Sequence, residues 1–95
     1  MKVNVAFHNV DHSDALVSFI QKKSDQLKKL MWEGENLNWI VELNADEFAP
    51  KLKLKLKNKV VEISASGNNA FRAVGMVIEK AKRVIRDDHE KLKSF

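Results

Sequence analysis

Basic side chains are the residues of this sequence best placed to do chemistry, and what they offer is attraction for a polyanion. After Pro50 the chain reads Lys51-Leu52-Lys53-Leu54-Lys55-Leu56-Lys57, seven residues in strict alternation. Successive side chains of a strand point to opposite faces, so Leu52, Leu54 and Leu56 line one face and the four lysines the other. A helix would scatter both sets around its circumference, so the pattern predicts a strand. Other cations recur at helical spacing. Lys22 and Lys29 share one flank of an amphipathic segment, with Gln26 between them, and Lys23 lies within its apolar face, where the stem packs and the ammonium reaches an edge. Nearer the C-terminus Lys82, Arg86 and Lys93 share one flank, Lys80 and Lys91 the other, and Arg72 and Arg83 point away from the apolar stripe. Lys22, Lys29, Lys82, Arg83 and Arg86 are candidate phosphate contacts, since neutralising phosphates releases counterions and supplies sequence-independent affinity.

Other chemistry finds little support. There is no cysteine, which excludes disulfides and thiolate metal sites. His8, His12 and His89 lack ligand spacing and read as surface histidines. Asp46-Glu47 reads as a solvated acidic loop. Gly67 stands alone, without a phosphate-cradling glycine motif. The serines lack the flanking glycines of a nucleophile elbow. The expectation is a non-enzymatic protein with no catalytic residue, no metal, no cofactor and no small-molecule substrate. Phe7, Phe19, Phe71 and Trp39 fit core stripes, so no row of exposed aromatics is expected. That favours a folded RNA surface read by shape over a splayed single strand.

Ninety-five residues, 44% hydrophobic and 32% charged, suit one domain spanning 1–95 with a single modest core. No stretch could span a bilayer, and a cytoplasmic protein with no membrane partner is expected. The net charge of +4 is unevenly placed: residues 1–50 hold five Lys/Arg against eight Asp/Glu, whereas residues 51–95 hold twelve against five. A basic C-terminal half favours an anionic partner, nucleic acid being the commonest.

The elements that must position these charges follow from periodicity. Lys2 to His8 alternates, with Val3, Val5 and Phe7 on one side, and predicts a first strand. Ser13 or Asp11 can cap a helix whose apolar face carries Leu16, Phe19, Ile20, Leu27, Leu30 and Met31, ended by Gly34. Leu37, Trp39, Val41 and Leu43 predict a second strand, with Ile40 outward. A loop over 46–50 leads into the Lys/Leu strand. A two-residue turn at Asn58-Lys59 then pairs Leu56 with Val61, Leu54 with Ile63 and Leu52 with Ala65, and places Lys55 opposite Glu62 and Lys53 opposite Ser64. The last helix carries Ala70, Phe71, Val74, Val77, Ile78, Ala81, Val84, Ile85 and Leu92 on one face, with Asp88 intruding. The order β-α-β-β-β-α predicts an α+β two-layer sandwich, a four-stranded sheet with two helices packed on one face and the lysines on the other. A double-stranded RNA-binding domain has a similar layout, but Gly67-Asn68-Asn69-Ala70-Phe71-Arg72 lacks that module's lysine cluster.

Across nearly its whole length the chain resembles the ribosome hibernation-promoting factors and ribosome-associated inhibitors, also called sigma-54 modulation proteins. The likeness rests on His8-Asn9-Val10 with Asp14-Ala15-Leu16 and Phe19-Ile20, on Trp39-Ile40-Val41, on Val61-Glu62-Ile63-Ser64-Ala65-Ser66-Gly67, and on Ala70-Phe71-Arg72-Ala73-Val74 with Ile78-Glu79-Lys80, Arg83 and Lys91-Leu92-Lys93. Order and spacing together carry it. The resemblance is to the short form, and it implies binding to the small ribosomal subunit between head and body, where mRNA and tRNA would lie, blocking translation in stationary phase or stress. A ribosome-dimerising factor is a further candidate partner. The family's RNA-contacting positions fall here on Lys23, Lys80, Arg83 and Arg86. Lys22, Lys29 and Lys82 join them on surface charge, and Lys51, Lys53 and Lys57 are an electrostatically supporting face. Departures from the family pattern are Gln26, Gly75 and Asp87-Asp88. The alternative is a protein-interaction module that regulates a transcription or stress factor through the sheet face or an exposed edge, without binding RNA.

Overall fold

The computed structural model describes residues 2–31, 36–56 and 59–93, with side chains as far as residue 88 in the final helix. Its elements are β1 (Val3–His8), α1 (Asp14–Lys28), β2 (Leu37–Asn44), β3 (Glu47–Leu56), β4 (Lys59–Ser64) and α2 (Ala70–Lys93), in the expected β-α-β-β-β-α order. The sheet order is β1-β2-β3-β4. β1 runs parallel to β2, the other neighbours antiparallel. A parallel pair cannot be joined by a tight turn, and α1 is the crossover that connects β1 to β2.

Both helices cover one sheet face. The core joins Leu16, Ile20 and Leu27 of α1, Leu37, Trp39 and Val41 of β2, Leu52, Leu54 and Leu56 of β3, Ile63 of β4, and Val74, Val77, Ile78, Ala81 and Ile85 of α2. The three leucines of the Lys/Leu strand are thus buried under the helices. Each such burial contributes about 1.5–3 kcal/mol relative to exposure. Ile40, as its phase predicts, is 42% exposed on the other face.

Local signals explain where the elements begin. The Ser13 hydroxyl accepts from the Leu16 N–H at 3.2 Å, satisfying one of the unpaired donors of the first turn of α1. The Asn69 side-chain oxygen accepts from the Arg72 N–H at 3.1 Å and does the same for α2. Asn9, just after β1, has φ 61°, a left-handed conformation that asparagine tolerates.

Several expected boundaries move. α1 ends at Lys28, and the N–H groups of Leu30 and Met31 both donate to the Leu27 carbonyl. Leu30 and Met31 still pack on the core, so their apolar periodicity reports burial in a closing turn, not continued helix. Gly34, expected to stop the helix, lies outside the described residues, as do Trp32 and Lys57.

The expected loop over 46–50 is instead strand from Glu47 onward. Asn44 pairs with Glu47, leaving Ala45-Asp46 as a two-residue turn, and β3 extends over ten residues. Ala45 takes φ 54° to close it. Pro50 is tolerated inside the strand because of where its nitrogen points. Its carbonyl accepts from the Ala65 N–H at 3.3 Å, and a strand residue's N–H and C=O face the same side. The missing donor therefore faces the chain just past the end of β4, and the ladder to β2 loses nothing. Phe48 then bridges to Gly67, extending the pairing beyond β4.

The β3–β4 register is shifted by two residues from the expected one. Leu56 pairs with Lys59, Leu54 with Val61 and Leu52 with Ile63, so Lys59 belongs to the strand, not to the turn. A shift of two preserves the inward and outward faces, so the leucines of β3 and Ile63 still meet in the core. It also sets Ile63, not Ala65, opposite Leu52, a larger apolar pair. Phe71 departs from the expected core stripe, being 42% exposed, while Ala73 is buried. The stripe of α2 is therefore centred nearer Ala73, Val77 and Ala81, and Phe71 sits at its margin.

Candidate nucleic-acid interface

The candidate cations fall into two groups, and the packing of α2 decides the division. Phe71 meets Phe19 of α1 edge to face, with centroids 5.2 Å apart and planes at 77°. That contact fixes which side of α2 faces α1. Lys23 stands over the Phe19 ring, with Nζ 5.6 Å from its centroid, so its stem packs and its ammonium meets the ring quadrupole at the seam between the helices. Lys22 and Lys29 are exposed nearby on α1, Lys29 forming its C-cap. On α2 a row at spacings of three and four runs Phe71, Gly75, Glu79, Lys82, Arg86 along the α1 side. Lys82 lies 3.3 Å from Glu79 and is partly neutralised by it, whereas Arg86 is exposed.

Lys80 and Arg83 lie on the opposite flank. With Val84 of α2 they line a groove of about 430 Å³ whose other wall is Val61, Glu62, Ile63 and Ser64 of β4. Lys80 Nζ donates to the Ser64 carbonyl at 2.9 Å. The candidates thus divide: Lys23 at the seam between the helices, Lys82 and Arg86 on the flank of α2 that Phe71 turns toward α1, Lys80 and Arg83 toward β4, with Lys22 and Lys29 exposed at α1.

The open sheet face is less basic than expected. Lys51 lies 3.7 Å from Glu42 of β2. Lys53, not Lys55, stands opposite Glu62, because of the register shift, and Lys55 stands opposite Val60. Asn4 and Asn38 join across β1 and β2 by a 2.9 Å hydrogen bond. A shallow depression of about 290 Å³ is lined by Asn38, Ile40, Lys51, Lys53 and Glu62. Of the supporting lysines, Lys51 and Lys53 each face a carboxylate and Lys57 lies outside the described residues.

Residues outside the candidate set also shape the surroundings of the site. Arg72 is exposed at the start of α2, and its place beside the exposed Phe71 is a signal that adjacency alone carries. Ser24 is buried, holding the Trp39 indole, and no periodic signal marks it. His12 pairs with Asp14 at 2.7 Å and packs edge-on against Phe7 at 5.0 Å, ahead of α1 and away from any carboxylate cluster. Among the described residues no group of His, Cys, Asp and Glu could hold a metal ion, and no helix is long and apolar enough to cross a membrane.

A family model described as sigma 54 modulation protein / S30EA ribosomal protein matches residues 3–93. The chain belongs to this family. Its fold is shared by a ribosomal subunit interface protein from Coxiella burnetii, 17% identical, with TM-score 0.82 over 95% of this chain and 99% of that one. It is shared too by the Protein Y N-terminal domain of Thermus thermophilus, 15% identical, with TM-score 0.79 over 90% of this chain and 98% of that one. At such identities the likeness is one of fold. No curated protein matches the sequence significantly. In this S30EA family member, the helices that carry the candidate cations both lie within the matched span.

Proposed function

We propose that the protein is a ribosome-associated hibernation factor, with residues 1–95 acting as one non-enzymatic, cytoplasmic ribosome-binding domain. In this reading it binds small-subunit rRNA in the channel used by mRNA and tRNA, and so inhibits translation. The family match over residues 3–93 carries the reading, and the naming of the Coxiella fold relative for the ribosomal subunit interface supports it. The physical support is the placement of cations. Lys22, Lys23 and Lys29 of α1 and Lys80, Lys82, Arg83 and Arg86 of α2 are candidates to touch phosphates. Lys51 and Lys53 lend long-range attraction from the sheet, with Lys57 a candidate beside them. Two helices side by side present charge over a broad surface, which suits the contours of folded RNA better than a single threaded strand.

The test is co-sedimentation of the full chain with purified small subunits over a range of salt. Binding at low salt that falls steeply as salt rises is the expected result, because phosphate neutralisation releases counterions. Absence of the protein from the subunit pellet even at low salt overturns the reading. Competition with mRNA and initiator tRNA for the same subunits tests its placement in the channel.

A further inference from the structure

The β3–β4 register determines what β4 offers to solvent. In an antiparallel pair, residues opposite one another alternate between exchanging hydrogen bonds and turning those groups away. The bond from the Ala65 N–H to the Pro50 carbonyl places that pair in the bonded set. With it, every second pair, go Leu52 with Ile63, Leu54 with Val61 and Leu56 with Lys59. The remaining β4 residues, Val60, Glu62 and Ser64, therefore direct their backbone N–H and C=O groups out of the sheet. β4 ends the strand order, so these groups form an open edge. One of them is already engaged, since Lys80 Nζ holds the Ser64 carbonyl at 2.9 Å. Beside the edge lies the groove between β4 and α2, with apolar Val61, Ile63 and Val84 on its walls and Lys80 and Arg83 at its rim. Val60 is 62% exposed on the other side of the strand.

We propose that this edge and its groove take an extended acidic peptide from a partner protein, added to β4 as a fifth strand. Backbone pairing with Val60, Glu62 and Ser64 supplies affinity without regard to sequence, and alternate side chains supply selection. Those on the helix side enter the groove two residues apart, one apolar against Val61, Ile63 and Val84, the next acidic against Lys80 and Arg83. Lys80 then acts as a selector. While it holds the Ser64 carbonyl, the edge lacks one acceptor and is guarded against indiscriminate strand pairing. A carboxylate in the incoming strand draws the ammonium away and frees that carbonyl for the ladder. A neutral or basic strand cannot do so, and meets like charge if basic.

The test titrates the ¹⁵N-labelled full chain with a short capped peptide of repeating Val-Thr-Glu-Thr, which brings valine and glutamate in turn to one face, and with its counterpart carrying lysine in place of glutamate. Saturable shifts and slowed amide exchange at Val60, Glu62 and Ser64 are expected with the acidic peptide alone. Val60→Pro deletes an outward N–H that β3 does not use, so the fold is retained while affinity falls at least tenfold. Equal binding of the lysine peptide, perturbation confined to other residues, or undiminished binding by a folded V60P variant overturns the proposal. So does protection of these amides that grows with protein concentration alone, which marks a second copy on the edge, or protection by a short RNA instead of the peptide. Should V60P not fold, amide exchange in the unsubstituted protein decides. Lys80 and Arg83 are shared with the proposed rRNA surface, but Val60 lies outside the helix cations, so V60P should leave ribosome co-sedimentation unchanged and the two readings fail separately.

Discussion

The indole N–H of Trp39 donates to the Ser24 hydroxyl at 3.1 Å, with both residues fully enclosed. Among the described residues this is the one buried side-chain hydrogen bond, and it ties α1 to β2 inside the apolar core. It satisfies the one donor that the largest core side chain brings with it. It also fixes how α1 sits on the sheet, and so where Lys22, Lys23 and Lys29 emerge.

Ser24→Ala leaves that indole N–H buried and unpaired, and is expected to destabilise the protein by about 1–3 kcal/mol. Urea denaturation measures it. In a Trp39→Phe background no N–H remains to be orphaned, so Ser24→Ala then costs markedly less. Equal cost in both backgrounds refutes the coupling.

Two backbone positions predict gains in stability from opposite substitutions. Gly75 lies inside α2, and a Cβ added there meets nothing within 4 Å, so Gly75→Ala is expected to stabilise by about 0.5–1 kcal/mol. Ala45 holds φ 54°, a conformation that costs a residue with a side chain about 1–2 kcal/mol. Ala45→Gly relieves that strain but loosens the unfolded chain, so the expected net gain is smaller, about 0.5 kcal/mol. Thermal denaturation of each variant, and of the pair, reads both effects. The sites share no partner, so the two gains should add.

The Lys/Leu strand predicts opposite consequences for adjacent residues. Leu54 is 1% exposed in the core, and Leu54→Ala should cost about 2–5 kcal/mol through reduced burial and the cavity left behind. Lys55 is exposed beside Val60 on the other face, and Lys55→Ala should stay within about 0.5 kcal/mol. Chemical denaturation of the two variants measures the contrast, and similar costs would contradict the assignment of faces.

Charge reversal of Lys80, Arg83 and Arg86 together to Glu is expected to abolish co-sedimentation with small subunits. A milder triple change to Gln should lower the salt slope of binding by about one unit for each phosphate no longer neutralised. Thermal stability should change little, since the groups sit at the surface and surface substitutions are mostly small in effect. Binding by the reversed variant at the unsubstituted level removes these residues from the interface.

By itself the sequence determined the element order, the buried face of each strand and the two-layer arrangement. All of these follow from periodicity, and a period of two or of 3.6 records which side of an element is dry. The same period is silent about a slip of two residues. Leu54 faces the core whether Ile63 or Val61 lies opposite, yet that slip moves Glu62 from Lys55 to Lys53 and so changes which lysine is left beside an apolar neighbour. Family resemblance was likewise legible, because it resides in the order of side chains along the chain. The sequence also marked the cations of α2, since their distance from the apolar stripe can be counted. What each flank faces could not be counted. Only when α2 packs between α1 and the β4 edge do Lys82 and Arg86 fall on the flank toward α1 while Lys80 and Arg83 overlook a groove. Ser24 could not be found from pattern at all, because a buried hydroxyl differs from a solvated one only through its partner. Hydrophobic burial is written locally, residue by residue. The pairing of polar groups depends on what the fold brings opposite them, and tertiary structure alone decides it.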